Sequence, residues 1–232
     1  LLDHTFGFSV FANGGYMVGQ PVSEERWKPG YRRLDPVAIV KVTDAQGKVL
    51  DEYREPQRQQ VIRPDVSYLV TDILSDNRAR TPAFGADNPL TLPDRPVAAK
   101  TGTTNSFRDG WAMGYTPQYV VGVWVGNANY QEMKGGADGV RVAAPIWQKV
   151  MLYLHDGVPV ETFPQPPGIV TAIVDATSGK LPTEYSAGRI QEIFIEGTVP
   201  TEKDDVHQAF RIDRTSGKLA TPYCPPEEVE VR

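Results

Sequence analysis

Apolar residues return at every fourth position at the start of the chain. Leu2, Phe6 and Val10 fall on one face of a helix, and Asn13-Gly14-Gly15 supplies a stop rich in residues that tolerate positive φ. The period then shortens. Val37, Ile39 and Val42 are β-formers, Asp44-Ala45-Gln46-Gly47 is turn chemistry, and Val49-Leu50 resumes the strand, so a hairpin is expected. "RPDVSYLVTDILSDNRART" goes back to helical spacing. Val66, Leu69, Val70, Ile73 and Leu74 form its apolar face, with Asp65 expected as N-cap after Pro64. After a loop through "PAFGADNPLTLPDRP", strands are expected over Val97–Gly102, over Gly110–Tyr115 and along "YVVGVWVGNAN". "AAPIWQKVMLYLHDG" then predicts a helix with Pro145 in its first turn and Gly157 as its stop.

Beyond Gly157 the texture changes. Residues 157–168 are rich in proline and read as a semi-rigid linker between residues 1–156 and a small β-rich extension over 169–232. The extension repeats itself. "IVDATSGKLPTEYS" and "RIDRTSGKLATPYC" align at an offset of 38, which pairs Asp175 with Asp213, Thr177 with Thr215 and Tyr185 with Tyr223. Two copies are too few for a solenoid.

Composition narrows the function classes. A net charge of −5 argues against non-specific binding to nucleic acid or anionic membranes. No run of about 18 apolar residues is present, so no membrane contact is expected of this chain itself. The single Cys224 has no intrachain partner for a disulfide. His4, His155 and His207 lack metal-ligand spacing, and the Asp-x-Thr-x-Gly turns offer too few oxygens in a row for a calcium loop. No metal or cofactor is therefore expected. A helix that starts at the first residue, without an N-cap or an initiating Met, suggests a piece of a longer protein.

The candidate chemistry lies in "VAAKTGTTNSFRDGW". Lys100 brings a cation; Thr101, Thr103 and Thr104 bring hydroxyls; Gly102 permits close approach of another backbone. On a strand, Lys100 and Gly102 face one way and Thr101 and Thr103 the other. At an edge beside a cleft, the hydroxyls could donate to a carboxylate while the Thr103 N–H stabilises an oxyanion. The bland alternative is a solvated strand end, since Lys-Thr-Gly is common by chance.

Context decides between them. "FANGG" (Phe11–Gly15), "ILSDNRARTPAFG" (Ile73–Gly85), "KTGTTNSFRDGW" (Lys100–Trp111), "GVWVGN" (Gly122–Asn127) and "AAPIW" (Ala143–Trp147) are similar, in order and approximate spacing, to the transpeptidase domain of class A, bifunctional penicillin-binding proteins. The likeness covers roughly residues 1–155, and the repeat tail resembles the C-terminal extensions of such proteins. It implies an α+β penicillin-binding/β-lactamase-like fold, a mostly antiparallel sheet flanked by helices. It also implies cross-linking of peptidoglycan stem peptides by serine acyl transfer from D-Ala-D-Ala, acylation by β-lactams, and an extracytoplasmic location set by an anchor elsewhere.

By this resemblance Lys100 and the Thr103 N–H are catalytic, and Thr101, Gly102, Thr103 and Thr104 bind substrate. The family also needs Ser-x-x-Lys and Ser-x-Asn. No Ser-x-x-Lys is present in the 232 residues. Ser75-Asp76-Asn77 spells the second motif, but it follows the Asn-Gly-Gly stop instead of preceding it and lies at a helix end, so it reads as a decoy. The chain alone is expected to lack the nucleophile and to need the missing N-terminal part of the domain as its partner. Two further readings stand beside this one: a non-catalytic module that binds cell-wall peptide or a partner protein, and a serine β-lactamase. Asp109 and Trp111 are expected to support the cleft, Tyr119 and Trp124 to lie in the core, and Gly135–Val142 to form a hairpin turn.

Overall fold

Helix α1 (Leu2–Ala12) buries Phe6 and Val10 and leaves Leu2 exposed. It stops where expected: Gly14 and Gly15 take φ of 63° and 95°, and the Gly15 N–H donates to Val10 O at 2.8 Å. Strand β1 (Tyr16–Pro21) runs antiparallel between β2 (Leu34–Asp35) and β5 (Gln57–Gln60). The expected hairpin forms from β3 (Lys41–Thr43) and β4 (Val49–Glu52). Its turn is held by Asp44 Oδ1, which accepts from the Gln46 and Lys48 N–H groups.

One helix was expected after Ile62, and two are present. α2 (Pro64–Ser75) takes Pro64 as its first helical residue, so Arg63 occupies the N-cap position and Asp65 falls inside the first turn. A missing N–H costs nothing at that position. Asp76, with ψ of 97°, ends α2 and caps α3 (Asn77–Phe84), its carboxylate accepting from the Arg78 and Ala79 N–H groups.

A three-stranded antiparallel meander follows: β6 (Ala98–Thr103), β7 (Asp109–Tyr115) and β8 (Val120–Gly126), in that spatial order. Gly135–Val142 is not a plain hairpin turn. Its end is a short helix, α4 (Gly139–Val142), capped by Asp138, whose side chain accepts from the Arg141 N–H. α5 (Ala144–Leu154) then lays Trp147 and Met151 on Leu90, Leu92, Ala99 and Ala112, which form the main core. His155 closes α5 from a buried position: Nδ1 donates to Met151 O (2.7 Å) and Nε2 faces the Thr116 hydroxyl (3.0 Å).

The computed structural model describes residues 1–231, in two compact units that part between Pro167 and Gly168. The proline-rich stretch read as a linker is bound to the first unit. Arg95 donates to Val158 O (3.1 Å), Gln118 to Pro159 O (2.9 Å) and Glu161 (3.0 Å), and Phe163 sets its ring edge-on against Tyr115. Proline carbonyls remain acceptors although proline donates nothing, so such a strap can be held by side chains without joining a sheet.

In the second unit β9 (Ile169–Asp175) pairs with β10 (Arg189–Ile195), and β11 (Arg211–Asp213) pairs with β12 (Val229–Val231). The sequence repeat is a structural one. Gly179 N–H meets Asp175 O at 2.9 Å, and Gly217 N–H meets Asp213 O at 2.8 Å. Among the described residues no helix is long and apolar enough to cross a membrane.

Candidate active site

β6 pairs with β7 on one side only, so its other edge is open to a ligand backbone. The Thr104 N–H donates to Asp109 O at the end of β7 (3.1 Å). Neighbouring residues of an antiparallel strand alternate the direction of their N–H groups, so Thr103 and Thr101 turn theirs to the open edge. The Thr101 carbonyl lies there too, where Lys100 Nζ donates to it at 2.6 Å. The ammonium is thus drawn along the strand edge, beside the outward N–H groups.

Side chains sort as the strand period requires. Lys100 and Gly102 share a face with Trp111 and Met113; with His4 and Phe8 of α1 they line a concavity of about 280 Å³ whose rim Thr101, Thr103 and Thr104 also reach. A second, also about 280 Å³, lies between Lys100, Thr101, Asp76, Arg80 and Phe84. Burial holds the Arg80 guanidinium below its usual pKa, with Asp76 acting against the shift. A larger cavity of about 650 Å³, lined in part by Phe11, Tyr68, Thr71 and Phe163, is not lined by any residue from Lys100 to Thr104.

On the Thr101–Thr103 face, α4 sits directly on the sheet. A Cβ at Gly139 would lie 2.4 Å from Gly102 O and 2.5 Å from Trp111 O, so only glycine permits this approach. The Gly139 N–H donates to Thr103 Oγ1 at 2.9 Å. That hydroxyl accepts once and keeps its own proton to donate.

Thr104 is placed differently. Its hydroxyl donates to Asp109 Oδ2 (3.0 Å) and accepts from the Asp109 N–H (2.8 Å), so it belongs to the turn. Asp109 Oδ1 accepts from Trp124 Nε1 (2.8 Å). One buried carboxylate therefore ties the motif's exit to β8. Trp124, expected in the core, is partly exposed and packs beside Trp111 with ring centres 6.5 Å apart. The turn is strained: Ser106 and Phe107 take φ of 60° and 52°.

The structure therefore groups Lys100, Thr101, Gly102 and Thr103 along one edge. Ser75-Asp76-Asn77 is spent on local structure: Ser75 Oγ donates to Asp72 O, Asp76 caps α3, and the Asn77 amide donates to Ala86 O. Sequence reasoning missed Gly139, whose contact with Thr103 spans 36 positions. The only local signal was Asp138, a good N-cap residue. It also missed His4, whose ring lies 5.6 Å from that of Trp111.

Comparison with known proteins bears directly on this arrangement. Residues 7–152 match the sequence model of the penicillin binding protein transpeptidase domain. The chain belongs to that family. Residues 165–209 match the C-terminal domain of penicillin-binding protein 1A, and the two matches together place the chain with the C-terminal part of class A penicillin-binding proteins. It is 34% identical over 198 residues to penicillin-binding protein 1A of Clostridium botulinum (strain Langeland), covering 83% of this chain and 23% of that protein. Against penicillin-binding protein 1A of Escherichia coli (strain K12) the identity is 32% over 160 residues, covering 62% and 19%. The chain thus spans less than a quarter of the length of these relatives. Among solved structures, penicillin-binding protein 1A from Haemophilus influenzae shares the fold, with a TM-score of 0.66 at 21% identity over 86% of this chain and 32% of that one.

Proposed function

We propose that this chain supplies the third active-site motif of a peptidoglycan DD-transpeptidase that works through a serine acyl-enzyme outside the cytoplasm. The observation that carries the reading is the open edge of β6, with the Thr103 N–H turned outward beside Lys100 in a chain of this family. A D-Ala-D-Ala stem peptide would lie along this edge. Lys100 raises the positive potential at its terminal carboxylate, and the hydroxyls of Thr101 and Thr103 donate to it. The Thr103 N–H provides one arm of the oxyanion hole, where preorganised donors stabilise charge as it develops. The nucleophile and the amine that activates it belong to a Ser-x-x-Lys, which these 232 residues do not contain. A β-lactam would present the same carboxylate and carbonyl and acylate the same serine. Thr104 and Asp109 hold the turn behind the site through their paired hydrogen bonds, and Thr104 reaches the same concavity as Lys100.

The test is the rate of penicillin acylation in the complete protein that carries the upstream motifs. Thr103→Val removes the hydroxyl and leaves the Gly139 N–H without its acceptor. The rate should fall roughly ten- to a hundred-fold. Thr103→Ser keeps both contacts and should stay near the parent rate, as should Ser75→Ala. A large loss from Ser75→Ala beside an unaffected Thr103→Val would move the site to the other motif. The isolated 232-residue chain should take up no covalent fluorescent penicillin; stable labelling would require a serine not recognised here.

A further inference from the structure

The centre of the second unit is polar. Its buried described residues are Val174, Asp175 and Asp204, and His207 lies against the two carboxylates. One ligand atom from each of Asp175, Asp204 and His207 lies within 4.8 Å of the others: His207 Nδ1 is hydrogen-bonded to Asp204 Oδ2 at 2.8 Å and lies 3.4 Å from Asp175 Oδ2. Each carboxylate is aimed by its other oxygen. Asp175 Oδ1 accepts from the Thr177 and Ser178 N–H groups, both at 2.8 Å, and Asp204 Oδ1 accepts from the Val206 N–H at 3.1 Å. Asp175 Oδ2 is fully buried and has no hydrogen-bond partner. A buried carboxylate oxygen left without a donor is costly, and a cation at the focus of the three atoms removes that cost.

We infer that Asp175, Asp204 and His207 form a binding site for a divalent transition-metal ion of the zinc type, which ties the end of β9 to the 204–207 turn. One imidazole nitrogen with two carboxylate oxygens suits zinc and its neighbours, whereas calcium and magnesium favour all-oxygen shells. Zinc holds such ligands at about 2.0–2.2 Å, which sets ligand atoms roughly 3.3–3.6 Å apart in a tetrahedron; the 3.4 Å from His207 Nδ1 to Asp175 Oδ2 matches that spacing, while the 2.8 Å hydrogen bond to Asp204 Oδ2 is shorter and opens as the ion displaces its proton. Ser186 Oγ donates to Asp204 Oδ2 at 3.3 Å. The histidine spacing gave no hint of this, because Asp175 comes from a strand end far from His207 in sequence. A unit this small with one buried aliphatic residue is the kind that a metal staple holds together.

The experiment is titration of the chelator-treated 232-residue chain with zinc chloride by calorimetry. One equivalent should bind with a Kd of about 10 µM or tighter, and calcium chloride should bind at least about a hundredfold more weakly. Asp175→Asn, which keeps the oxygen that accepts from the turn, should weaken zinc at least about thirtyfold, as should His207→Ala. Asp213→Asn, in the matching turn of the other copy, should bind as the parent does. Cobalt(II) added to the parent guards against a variant that only loosens the unit. It should give the visible absorption of a low-coordinate site, abolished by one equivalent of zinc. No zinc binding by the parent up to millimolar concentration, a preference for calcium, or full-strength binding by both variants would overturn the site.

Discussion

The two units of this chain solve the same problem with different material. The first gathers Trp147, Met151, Leu90, Leu92, Ala99 and Ala112 into an apolar core, so hydrophobic burial holds its sheet and helices together. Among its described residues the second has only Val174 as a buried aliphatic residue, and the groups buried with it are Asp175 and Asp204. Burial drives the first; pinned turns and a charged cluster hold the second. On the proposed function, the contrast fits a substrate motif placed in the first unit. An oxyanion donor must be held to a fraction of an ångström, and β6 lies in a sheet backed by the packed α5.

All four tryptophans, Trp27, Trp111, Trp124 and Trp147, lie in the first unit, so tryptophan fluorescence reports its unfolding alone. The largest expected effect breaks its core. Trp147 is fully buried, and Trp147→Ala should destabilise the first unit by about 3–5 kcal/mol. The check is a urea transition followed by the remaining tryptophans, with zinc binding to the second unit measured beside it. Loss of zinc binding in step with the fluorescence transition would mean that the two units share one stability, and the comparison would fail.

A second prediction sharpens the same point through pH. Tyr115 is fully buried beneath Phe8 and Phe163, and its hydroxyl is 2.9 Å from Thr71 Oγ1. Burial pushes its phenol up to about 12, against a smaller opposing pull from the Thr71 hydrogen bond. The folded state therefore keeps a proton that the unfolded chain gives up near pH 10. The stabilisation is complete below about pH 10 and is lost as pH rises through about 12, by about 2–3 kcal/mol. Tyr115→Phe should cost about 1 kcal/mol at neutral pH and should lack this alkaline loss. Parallel alkaline curves for the two proteins would show that the phenol is not held neutral by burial.

How much of this was legible in the sequence follows from what kind of contact each feature needs. α1, α5 and the β6–β7–β8 meander were readable because short-range periodicity and Asn13-Gly14-Gly15 encode them locally. The helix end at Ser75-Asp76-Asn77 was readable too, but the restart as α3 was not, since an aspartate that ends one helix and caps the next cannot be told from a plain terminator until its ψ is known. β1 escaped for the opposite reason: Gly19, Gln20 and Pro21 carry no strand signal, and the strand exists because β2 and β5 pair with it. In the candidate site, Lys100 to Thr103 could be read from one strand. The N–H of Gly139 on Thr103 and the ring of His4 beside Trp111 could not, because both depend on tertiary packing.

The smallest effect is expected within the second unit, where two turns of the same sequence differ in burial. Asp213 repeats the pattern of Asp175: Oδ1 accepts from the Thr215 N–H at 2.9 Å and Oδ2 from the Ser216 hydroxyl at 2.8 Å. Those bonds, the Ser216 one foremost, hold its carboxyl below the usual aspartate value. Asp213, unlike Asp175, lies near the surface, where water can replace a lost partner. In Asp213→Asn the oxygen still accepts from Thr215, while the amide reverses the bond to Ser216 and donates to it. Amide exchange at Gly217 should quicken by only about two- to fivefold. The parent should also lose protection there as pH falls through the lowered folded pKa, since an aspartate of this kind stabilises above its unfolded pKa and not below. The same change at Asp175, where nothing outside the cluster can take over, should speed exchange at Gly179 much more. Equal effects at the two glycines would mean that burial of the first turn adds nothing, and the centre of the second unit would have to be sought elsewhere.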